Sequence, residues 1–413
     1  MRQLLEHIAA DAERGAGELE KNARKTARAW AQALAQQCRD TLDELLFFTP
    51  WLTLPPPPDG GVAGFLATGT LPTLRQLAQL DAEPAALLDQ PEPPVASPAA
   101  REWLVAVKPA LQTAGRHARE RIAAIEHLAL HAGELAQMDY GFLYDPTQHL
   151  LAIGYNYSDR RRDVSYYDLL ASEIRLGVFT AVAQGQLPKE SWFALGRLLS
   201  VEAGEPTLIS WSGSMFEYLM PLLVMPTDDH TLLDQTYRGA VARQIEYGRQ
   251  RGVPWGVSES GYNAVDAQLN YRYHAFGVPG LGLKRGLASD LVVAPYASAL
   301  ALMVDPEAAC ANLQQLAAAG FTGQYGFYEA IDYTPSRLPR GQHHAVVRSY
   351  MAHHQGMSFL ALAYLLLDRP MQKRFAATPQ FQATALLLQE RIPKTIAFHA
   401  PSTGELADSR IVD

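Results

Sequence analysis

The part of the chain from residue 138 to about residue 364 alternates helical stretches with loops rich in glycine and aromatic residues. Apolar residues three and four positions apart mark stretches of roughly 12 to 20 residues, and the alternation typical of strands is rare. No β/α rhythm is present, so a parallel sheet is not expected. Many helices of similar length with long loops favour helical hairpins arranged as a ring, although no close internal repeat marks such a ring.

We therefore predict an all-α fold, an (α/α)6 toroid preceded by an N-terminal helical region, with a cleft formed by the loops at one end of the inner helices. One small β-hairpin is expected around Pro146. Ser97 before Pro98 is typical of an N-cap followed by the first residue of a helix. The predicted helices lie near 1–47, 71–90, 98–136, 166–184, 188–199, 214–224, 230–250, 262–273, 293–304, 306–319, 343–367 and 378–391.

Breaks in composition predict the domain boundaries. Residues 1–54 are expected to form the N-terminal helical region, and residues 55–97 a proline-rich linker with short helices. The run from Pro55 to Pro58 favours a stiff, extended segment. Residues 98–395 are expected to form the toroid domain and residues 396–413 a C-terminal linker. Within this division, the composition changes at Met138, after which aromatic residues and glycines become frequent.

Charge and cysteine usage exclude several classes of protein. The net charge is −8 and no basic stripe is present, so no nucleic-acid partner is expected. The apolar runs are too short to span a bilayer, and the first 20 residues lack the apolar region of a signal peptide. Cys38 and Cys310 suggest no disulfide framework, which fits a reducing compartment. The glycine-rich segment 277–286 lacks the spacing of a nucleotide-binding loop, and no cofactor is expected.

Two glutamates have unusual neighbours in the sequence. Glu259 lies in Trp-Gly-Val-Ser-Glu-Ser-Gly-Tyr, and Glu329 lies in Tyr-Gly-Phe-Tyr-Glu-Ala-Ile-Asp-Tyr. A carboxylate removed from water costs free energy unless it is paired or used. Aromatic rings that stack on sugar faces, together with two carboxylates, are the minimal equipment for cleaving or moving a glycosidic bond. The alternative is that both glutamates cap helices or pair with arginines.

Further polar and aromatic residues near these motifs are candidates for sugar contacts. The alternatives are structural: Glu217 with Ser214 forms a capping box, and Trp211 is a core residue. Aromatic rings are candidate sugar platforms, and polar side chains are candidate partners of sugar hydroxyls. The candidates are Tyr155, Asn156, Trp211, Glu217, Trp255, Tyr262, Asn263, Phe276, Tyr325, Tyr328, Asp332, Arg337, Arg348, His353 and His354.

The histidines do not predict a metal site. His343, His344, His353 and His354 are assigned to one helix, in which the outer two are roughly 16 Å apart along the axis. One ion cannot bridge that distance, and no His-Glu-x-x-His spacing occurs. Hydrogen bonds to substrate or backbone are the expected roles of His353 and His354. A serine hydrolase is also not expected, because no Gly-x-Ser-x-Gly elbow is present.

With these motifs in view, the chain resembles the central, glycoamylase-like domain of cyclic β-1,2-glucan synthases. The resemblance covers about 138–395, and its motifs are long enough to be specific. The matching segments are Ile153–Asn156, Ser165–Glu173, Trp192–Arg197, Ser210–Pro221, Val253–Asn263, Ala275–Gly286, Gln324–Pro335 and Arg348–Ser358.

This resemblance implies an α/α toroid that acts on β-1,2-glucan and closes linear chains by anomer-retaining transglycosylation. It implies covalent neighbours in a longer polypeptide, namely a glycosyltransferase domain and a phosphorylase-like domain. It also implies a place on the cytoplasmic side of the bacterial inner membrane, as a soluble part of a larger membrane protein.

For the chemistry, we expect Glu259 as general acid/base and Glu329 as nucleophile. The two roles can be exchanged, and Glu217 or Asp332 can replace either residue. Retention needs two carboxyl groups about 5–5.5 Å apart, whereas inversion leaves about 6.5–9.5 Å for a water. Two alternatives remain open: a hydrolase like the endo-β-1,2-glucanases, and a non-catalytic module that holds glycan.

Overall fold

The computed structural model describes residues 2–19, 25–55, 72–80, 98–201 and 204–393. The chain divides into two compact units, Met1–Gln137 and Met138–Asp413. The division falls at the position where the sequence composition changes. The domain boundaries predicted at residues 54, 97 and 395 stay predictions, and the predicted C-terminal linker 396–413 lies outside the described residues.

The first unit contains helices α1 (Arg2–Leu19), α2 (Lys25–Phe48), α3 (Leu74–Leu77) and α4 (Pro98–Leu135). The single helix predicted over 1–47 is wrong, because α1 and α2 pack against each other as a hairpin. Small buried residues such as Ala12 and Ala35 allow this approach, and Arg39 Nε donates to Glu13 Oε1 at 2.7 Å. Of the helix predicted over 71–90, only α3 lies within the described residues.

The described residues are mostly helical, and nine of their α-helices lie in the second unit. Its longest helix, α8, begins after the N-cap Thr231, whose side chain accepts from Asp234 N, and ends at Gly252 in the left-handed conformation. These are the usual start and stop signals of a helix. The helices of this unit are α5 (Ile174–Ala183), α6 (Glu190–Ala194), α7 (Met215–Leu219), α8 (Leu232–Arg251), α9 (Pro295–Ala301), α10 (Pro306–Ala318), α11 (Ala352–Leu366), α12 (Pro370–Phe375) and α13 (Pro379–Thr384).

Short antiparallel strands connect these helices, which corrects the all-α expectation. The strands of the described residues are β1 (Tyr144–Asp145), β2 (Leu150–Ala152), β3 (Tyr155–Asn156), β4 (Arg161–Arg162), β5 (Tyr166–Tyr167), β6 (Leu199–Ser200), β7 (Thr207–Leu208), β8 (Ser260–Val265), β9 (Tyr271–His274), β10 (Val292–Val293), β11 (Thr322–Gly323), β12 (Gly326–Phe327), β13 (Ala330–Asp332) and β14 (Ala345–Val347). They form two three-stranded sheets with the orders β1-β2-β5 and β10-β13-β14, and four two-stranded sheets that pair β3 with β4, β6 with β7, β8 with β9 and β11 with β12.

The hairpin predicted around Pro146 is present as β1 and β2. The helix predicted over 262–273 is wrong, since β8 and β9 form an antiparallel hairpin there. Its turn is built by Asp266, whose Oδ1 accepts from Gln268 N and Asn270 N, each at 2.9 Å. An aspartate that binds the backbone of its own turn competes with helix formation.

A continuous hydrophobic core fills the second unit and includes Trp192, Tyr218, Tyr247 and Leu300. Helices α9 and α11 pack against each other in this unit, and α9 also packs against α10. Trp211, Glu259 and Glu329 stand in the segments that precede α7, β8 and β13. The ring arrangement of a toroid stays a prediction.

Candidate active site

A cavity of about 520 Å³ opens beside the start of α5 and the loop that precedes α7. Trp211 lines it, is 46% exposed, and donates from Nε1 to Asp168 Oδ1 at 2.8 Å. This bond fixes the indole plane at the edge of the cavity. The lining residues are Ile153, Val164, Ser165, Tyr166, Tyr167, Asp168, Ser172, Glu173, Trp211 and Glu217.

Glu259 directly precedes β8 and is partly buried. Burial raises the pKa of its carboxyl group to about 7, and the negative charges of Glu173 and Glu217 add to this effect. Burial of Tyr167 raises the pKa of that phenol, and the charges of Glu173 and Glu259 raise it further. Tyr167, Glu173 and Glu217 all line the cavity, whereas Glu259 interacts with them through its charge and is not itself among the lining residues.

Glu173 stands immediately before α5, half-buried, where Ser172 Oγ donates to its Oε2 at 2.9 Å. The residue was not among the predicted site residues, although it ends the family-matching segment Ser165–Glu173. Its sequence neighbours are neither aromatic nor glycine, which is why the flanking pattern did not select it. The signal available in the sequence was its position at the end of that segment.

Glu217 is buried and held by serines. Ser214 and Glu217 form a complete capping box at the start of α7, as the structural alternative predicted. Ser210 Oγ donates to Glu217 Oε2 at 2.9 Å, and Ser212 N donates to Oε1 at 3.1 Å. Since both oxygens already accept hydrogen bonds, Glu217 stabilises the start of α7. Its negative charge also contributes to the raised pKa of Glu259.

Arg175 joins the two segments that carry these glutamates. Its side chain is fully buried, and its Nη1 donates to Ser172 O and Glu217 O, each at 2.8 Å. It also donates to Tyr218 O, and its guanidinium lies 5.5 Å from the centre of the Tyr237 ring. The start of α5 and helix α7 are therefore tied together through one cation.

Glu329 is buried at the start of β13, with 3% of its surface exposed. Its Oε1 accepts from Gly261 N at 3.0 Å, and its Oε2 lies 2.9 Å from His354 Nδ1. A nucleophile has to reach the anomeric carbon of a sugar, and this carboxylate is enclosed and paired on both oxygens. Both Glu329 oxygens are engaged by partners within the protein, and its role as nucleophile stays a prediction.

The predicted hydroxyl contacts Asp332, Arg337 and Asn263 are used within the protein. Asp332 Oδ2 accepts from Arg337 Nε at 2.7 Å and from Asn263 N at 3.0 Å. Asn263 Nδ2 donates to Arg337 O at 2.7 Å, and the guanidinium lies over the rings of Tyr262 and Phe276. This cluster links β8 to β13 and leaves Phe276 buried, so its members support the fold of the site.

The remaining aromatic candidates divide into buried and exposed residues. Trp255 is 7% exposed and packs in the core, and its role as a sugar platform stays a prediction. Tyr155 is partly exposed and packs edge-on against Phe142. Asn156 is exposed, and its side chain binds Asp159.

A second group of exposed residues surrounds the loop before Glu329. Tyr325 is 60% exposed and packs edge-on against Tyr350, which also contacts the ring of Tyr328. Arg348 lies over Tyr328, and His353 is exposed near Tyr273. Their roles in sugar binding stay predictions.

His343 and His344 precede β14, whereas His353 and His354 lie in α11, so the single helix predicted for all four is wrong. Within the described ranges, no group of histidine, cysteine, aspartate and glutamate could hold a metal ion. Among the helices of those ranges, none is both long and apolar enough to cross a membrane.

Comparison with known proteins identifies the family to which the chain belongs. Residues 165–379, just over half of the chain, match a family described as "putative glucoamylase". The chain belongs to this glycoamylase family.

A curated relative is similar over the same region. The chain is 50% identical over 259 residues to the cyclic β-(1,2)-glucan synthase NdvB of Rhizobium meliloti (strain 1021). The match covers 63% of this chain and 9% of that protein, so the chain spans about a tenth of the length of its relative.

Two solved structures are similar in part, each described as a putative glucoamylase. The protein from Bacteroides caccae ATCC 43185 is 15% identical with a TM-score of 0.46, over 76% of this chain and 70% of the other. The protein from Bacteroides fragilis NCTC 9343 is 15% identical with a TM-score of 0.42, over 78% and 70%.

Proposed function

We propose that this chain breaks and re-forms glycosidic bonds of β-1,2-glucan at the cavity beside α5, with Glu259 as general acid/base. One observation carries the proposal: the pKa of Glu259 is raised to about 7, so its carboxyl group holds a proton near neutral pH. A carboxylic acid that stays protonated can give its proton to the leaving oxygen of a glycosidic bond. The substrate class rests on the relative NdvB and on the motifs shared with its family.

Glu173 is the proposed second carboxylate. It lines the cavity, is only half-buried, and its charge contributes to the raised pKa of Glu259. Glu217 also lines the cavity, but serine and backbone donors occupy both of its oxygens. Glu329, the candidate from the sequence, is enclosed with His354. Ser172 Oγ leaves one Glu173 oxygen available to a sugar.

The proposed reaction is anomer-retaining transglycosylation, in which a hydroxyl of the same glucan chain attacks in place of water and closes a ring. Excluding water from the site favours such transfer over hydrolysis. The proposal also includes the toroid arrangement, the catalytic domain 98–395, and covalent neighbours within a longer protein at the inner membrane.

Mass spectrometry of linear β-1,2-glucan incubated with the chain tests this proposal. Products one water lighter than the linear chains support cyclisation, whereas only shorter linear products mean hydrolysis. Glu259→Gln and Glu173→Gln should each abolish the product, and the exposed Glu307→Gln should leave it unchanged. If Glu173→Gln stayed active and Glu329→Gln were inactive, Glu329 and not Glu173 would be the second catalytic carboxylate. Binding without turnover would favour a glycan-holding module.

A further inference from the structure

The proposed reaction uses Glu259 and Glu173 and leaves the buried Glu329–His354 pair without a role. We infer that this pair holds the hydroxyl of Tyr273 as a hydrogen-bond acceptor for a sugar hydroxyl bound beside Glu259. The inference rests on the proposed function and names Tyr273 as a catalytic-site residue, with His354 and Glu329 as positioning residues that act through it.

The first step is the proton on His354. An ionised carboxylate has only acceptor sites, and Glu329 Oε1 already accepts from Gly261 N at 3.0 Å. His354 Nδ1, 2.9 Å from Glu329 Oε2, therefore carries a proton and donates it to that oxygen. The side chains of His354 and Glu329 are each 1% exposed, so water does not compete for this bond. In the neutral imidazole, Nε2 is then an acceptor.

The second step fixes the imidazole ring. Tyr296 stacks on His354 with ring centres 3.7 Å apart and planes 11° apart. The Tyr296 hydroxyl binds Glu259 O at 2.9 Å and lies 2.8 Å from Ser258 Oγ. Buried Tyr296 thus contacts both the backbone of Glu259 and the ring of His354. These contacts fix the position of His354 relative to Glu259.

The third step is the hydroxyl itself. Tyr273 Oη lies 3.3 Å from His354 Nε2. In the β8–β9 hairpin, Tyr273 pairs with Gly261. Gly261 follows Glu259 by two positions in the sequence. Tyr273 is 42% exposed, so part of its surface remains open to a ligand. Burial raises the pKa of this phenol, and the charges of Glu259 and Glu329 raise it further, so the hydroxyl stays neutral.

The chain of hydrogen bonds from Tyr273 through His354 to Glu329 determines what the Tyr273 hydroxyl can bind. The Tyr273 hydroxyl donates to His354 Nε2, so its oxygen offers lone pairs toward the exposed side. A glycan presents hydroxyl donors, and one of them can donate to this oxygen. A site built to bind a substrate hydroxyl loses discrimination and rate when its partner is removed. The phenol oxygen would hold a glucosyl residue in place while Glu259 gives its proton.

The first test is steady-state kinetics of Tyr273→Phe on linear β-1,2-glucan. Removing one oriented hydrogen bond should lower kcat/KM by roughly tenfold to 100-fold with little change in thermal stability. Tyr157→Phe is the matched control, since that tyrosine is 88% exposed and outside the site. Full activity of Tyr273→Phe, with Glu259→Gln inactive, would overturn this inference alone. Full activity of Glu259→Gln, or an inactive wild-type chain, would instead overturn the proposed function.

The second test separates positioning from simple structural support. In Glu329→Gln, the amide oxygen is expected to keep Gly261 N–H, so the amide nitrogen faces His354 Nδ1 and forces the proton to Nε2. Tyr273 would then receive a hydrogen bond and lose its acceptor role. The Tyr273→Phe and Glu329→Gln losses should therefore not add in the double variant. Additive losses would show that Glu329 acts independently of Tyr273.

A third measurement needs no substrate. The ¹⁵N resonance of His354 Nε2 should shift when Tyr273→Phe removes the donor, and it should stay in place in Tyr157→Phe. In Glu329→Gln the two ring nitrogens should exchange their protonated and unprotonated shifts. An Nε2 resonance that does not respond to Tyr273→Phe would contradict the hydrogen bond, whatever the substrate.

Discussion

At the scale of single residues, three glutamates beside one cavity have different surroundings. Glu217 is held by serine and backbone donors, which satisfy a carboxylate. Glu173 has one serine donor, and Glu259 is partly buried beside the charges of the other two. Environments that differ in this way separate an acid from a charged base or nucleophile, as a glycosidic-bond enzyme requires. Because the three side chains are chemically the same, their different proposed roles arise from the residues around each of them.

The pH dependence of activity should follow Glu259. Its acid form is needed in the proposed reaction, and its pKa is about 7. The value of kcat/KM should therefore fall about tenfold per pH unit above this pKa, since that parameter reports the free enzyme. Rates measured from pH 5 to pH 9 check this. A profile that stays flat to pH 9 would exclude Glu259 as the acid.

The same carboxyl group should lower stability at high pH. Folding raises its pKa from 4.5 to about 7, so the folded state binds more protons between these values. Stability from this group is therefore present below pH 4.5 and is lost as pH rises toward 7. Glu259→Gln removes a partly buried negative charge at pH 8 and should therefore raise the free energy of unfolding there. We expect a gain of roughly 1–2 kcal/mol, since partial exposure of the group to water limits the effect.

Urea unfolding of Glu259→Gln and wild type at pH 5 and pH 8 measures this difference. The variant should gain more at pH 8 than at pH 5, and Glu307→Gln should show no such difference. An equal gain at both pH values would point to packing and not to ionisation.

The residue-scale site was predictable only where local sequence carries the signal. Glu259 was selected because glycines and aromatic residues flank it, and the Ser214–Glu217 capping box was visible from its spacing. The partner of Glu329 was not visible, because His354 lies 25 positions away and meets it only through the packing of α11 on this unit. Glu173 was missed because its role depends on a cavity that is built from separate segments.

At the scale of elements, helices with clear end signals were predicted well. The predictions over 98–136, 230–250 and 306–319 match α4, α8 and α10 closely. The segment 262–273 was predicted as a helix because its apolar residues do not alternate strictly. Asp266 and the positive φ of Leu269 turn the chain into a hairpin, and pairing with Ser260–Val265 decides the outcome. This hairpin brings Tyr273 opposite Gly261, so the wrong prediction falls on an element of the proposed site.

Two glycine substitutions should have opposite effects on stability. A Cβ on Gly277 would come within 1.7 Å of Ser212 O, which is backbone of the loop that carries Trp211. Gly277→Ala should therefore destabilise the protein by roughly 1–3 kcal/mol or more. Gly356 lies inside α11 with nothing near its Cβ position, so Gly356→Ala should stabilise by roughly 0.5–1 kcal/mol.

Thermal and urea unfolding of both glycine variants would test these signs. Glucan turnover should fall only in Gly277→Ala, because that change displaces the cavity wall. A stable Gly277→Ala with normal turnover would mean that the Ser212 loop can move without disturbing the site.

Arg175 should be the main tie between the start of α5 and helix α7. Arg175→Met leaves three buried carbonyl oxygens without this donor and should cost roughly 2–4 kcal/mol. The exposed Arg249→Met should cost less than about 1 kcal/mol. Denaturant unfolding gives both values. A loss in Arg175→Met no larger than in Arg249→Met would contradict the tie.

At the scale of the whole molecule, two compact units are present, and all proposed site residues belong to the second. The composition change at Met138 was readable because glycine-rich and aromatic loops replace a long helix there. The toroid depends on how helices far apart in sequence pair, and local pattern contains little of that information. The same limit applies to the boundary predicted at residue 98, which rests on the proline and serine signals before α4.

Truncation distinguishes the two possible boundaries of the catalytic domain. We expect residues 138–413 to fold cooperatively and to keep the glucan activity of the full chain, because the core of the second unit and the cavity lie within them. Circular dichroism melting and product mass spectrometry should be compared for 98–413, 138–413 and the full chain. If only 98–413 retained a cooperative transition and activity, helix α4 would be part of the catalytic domain, as the boundary at residue 98 requires. Equal activity of the two fragments would place the start of the domain at Met138, and the first unit would then serve another purpose.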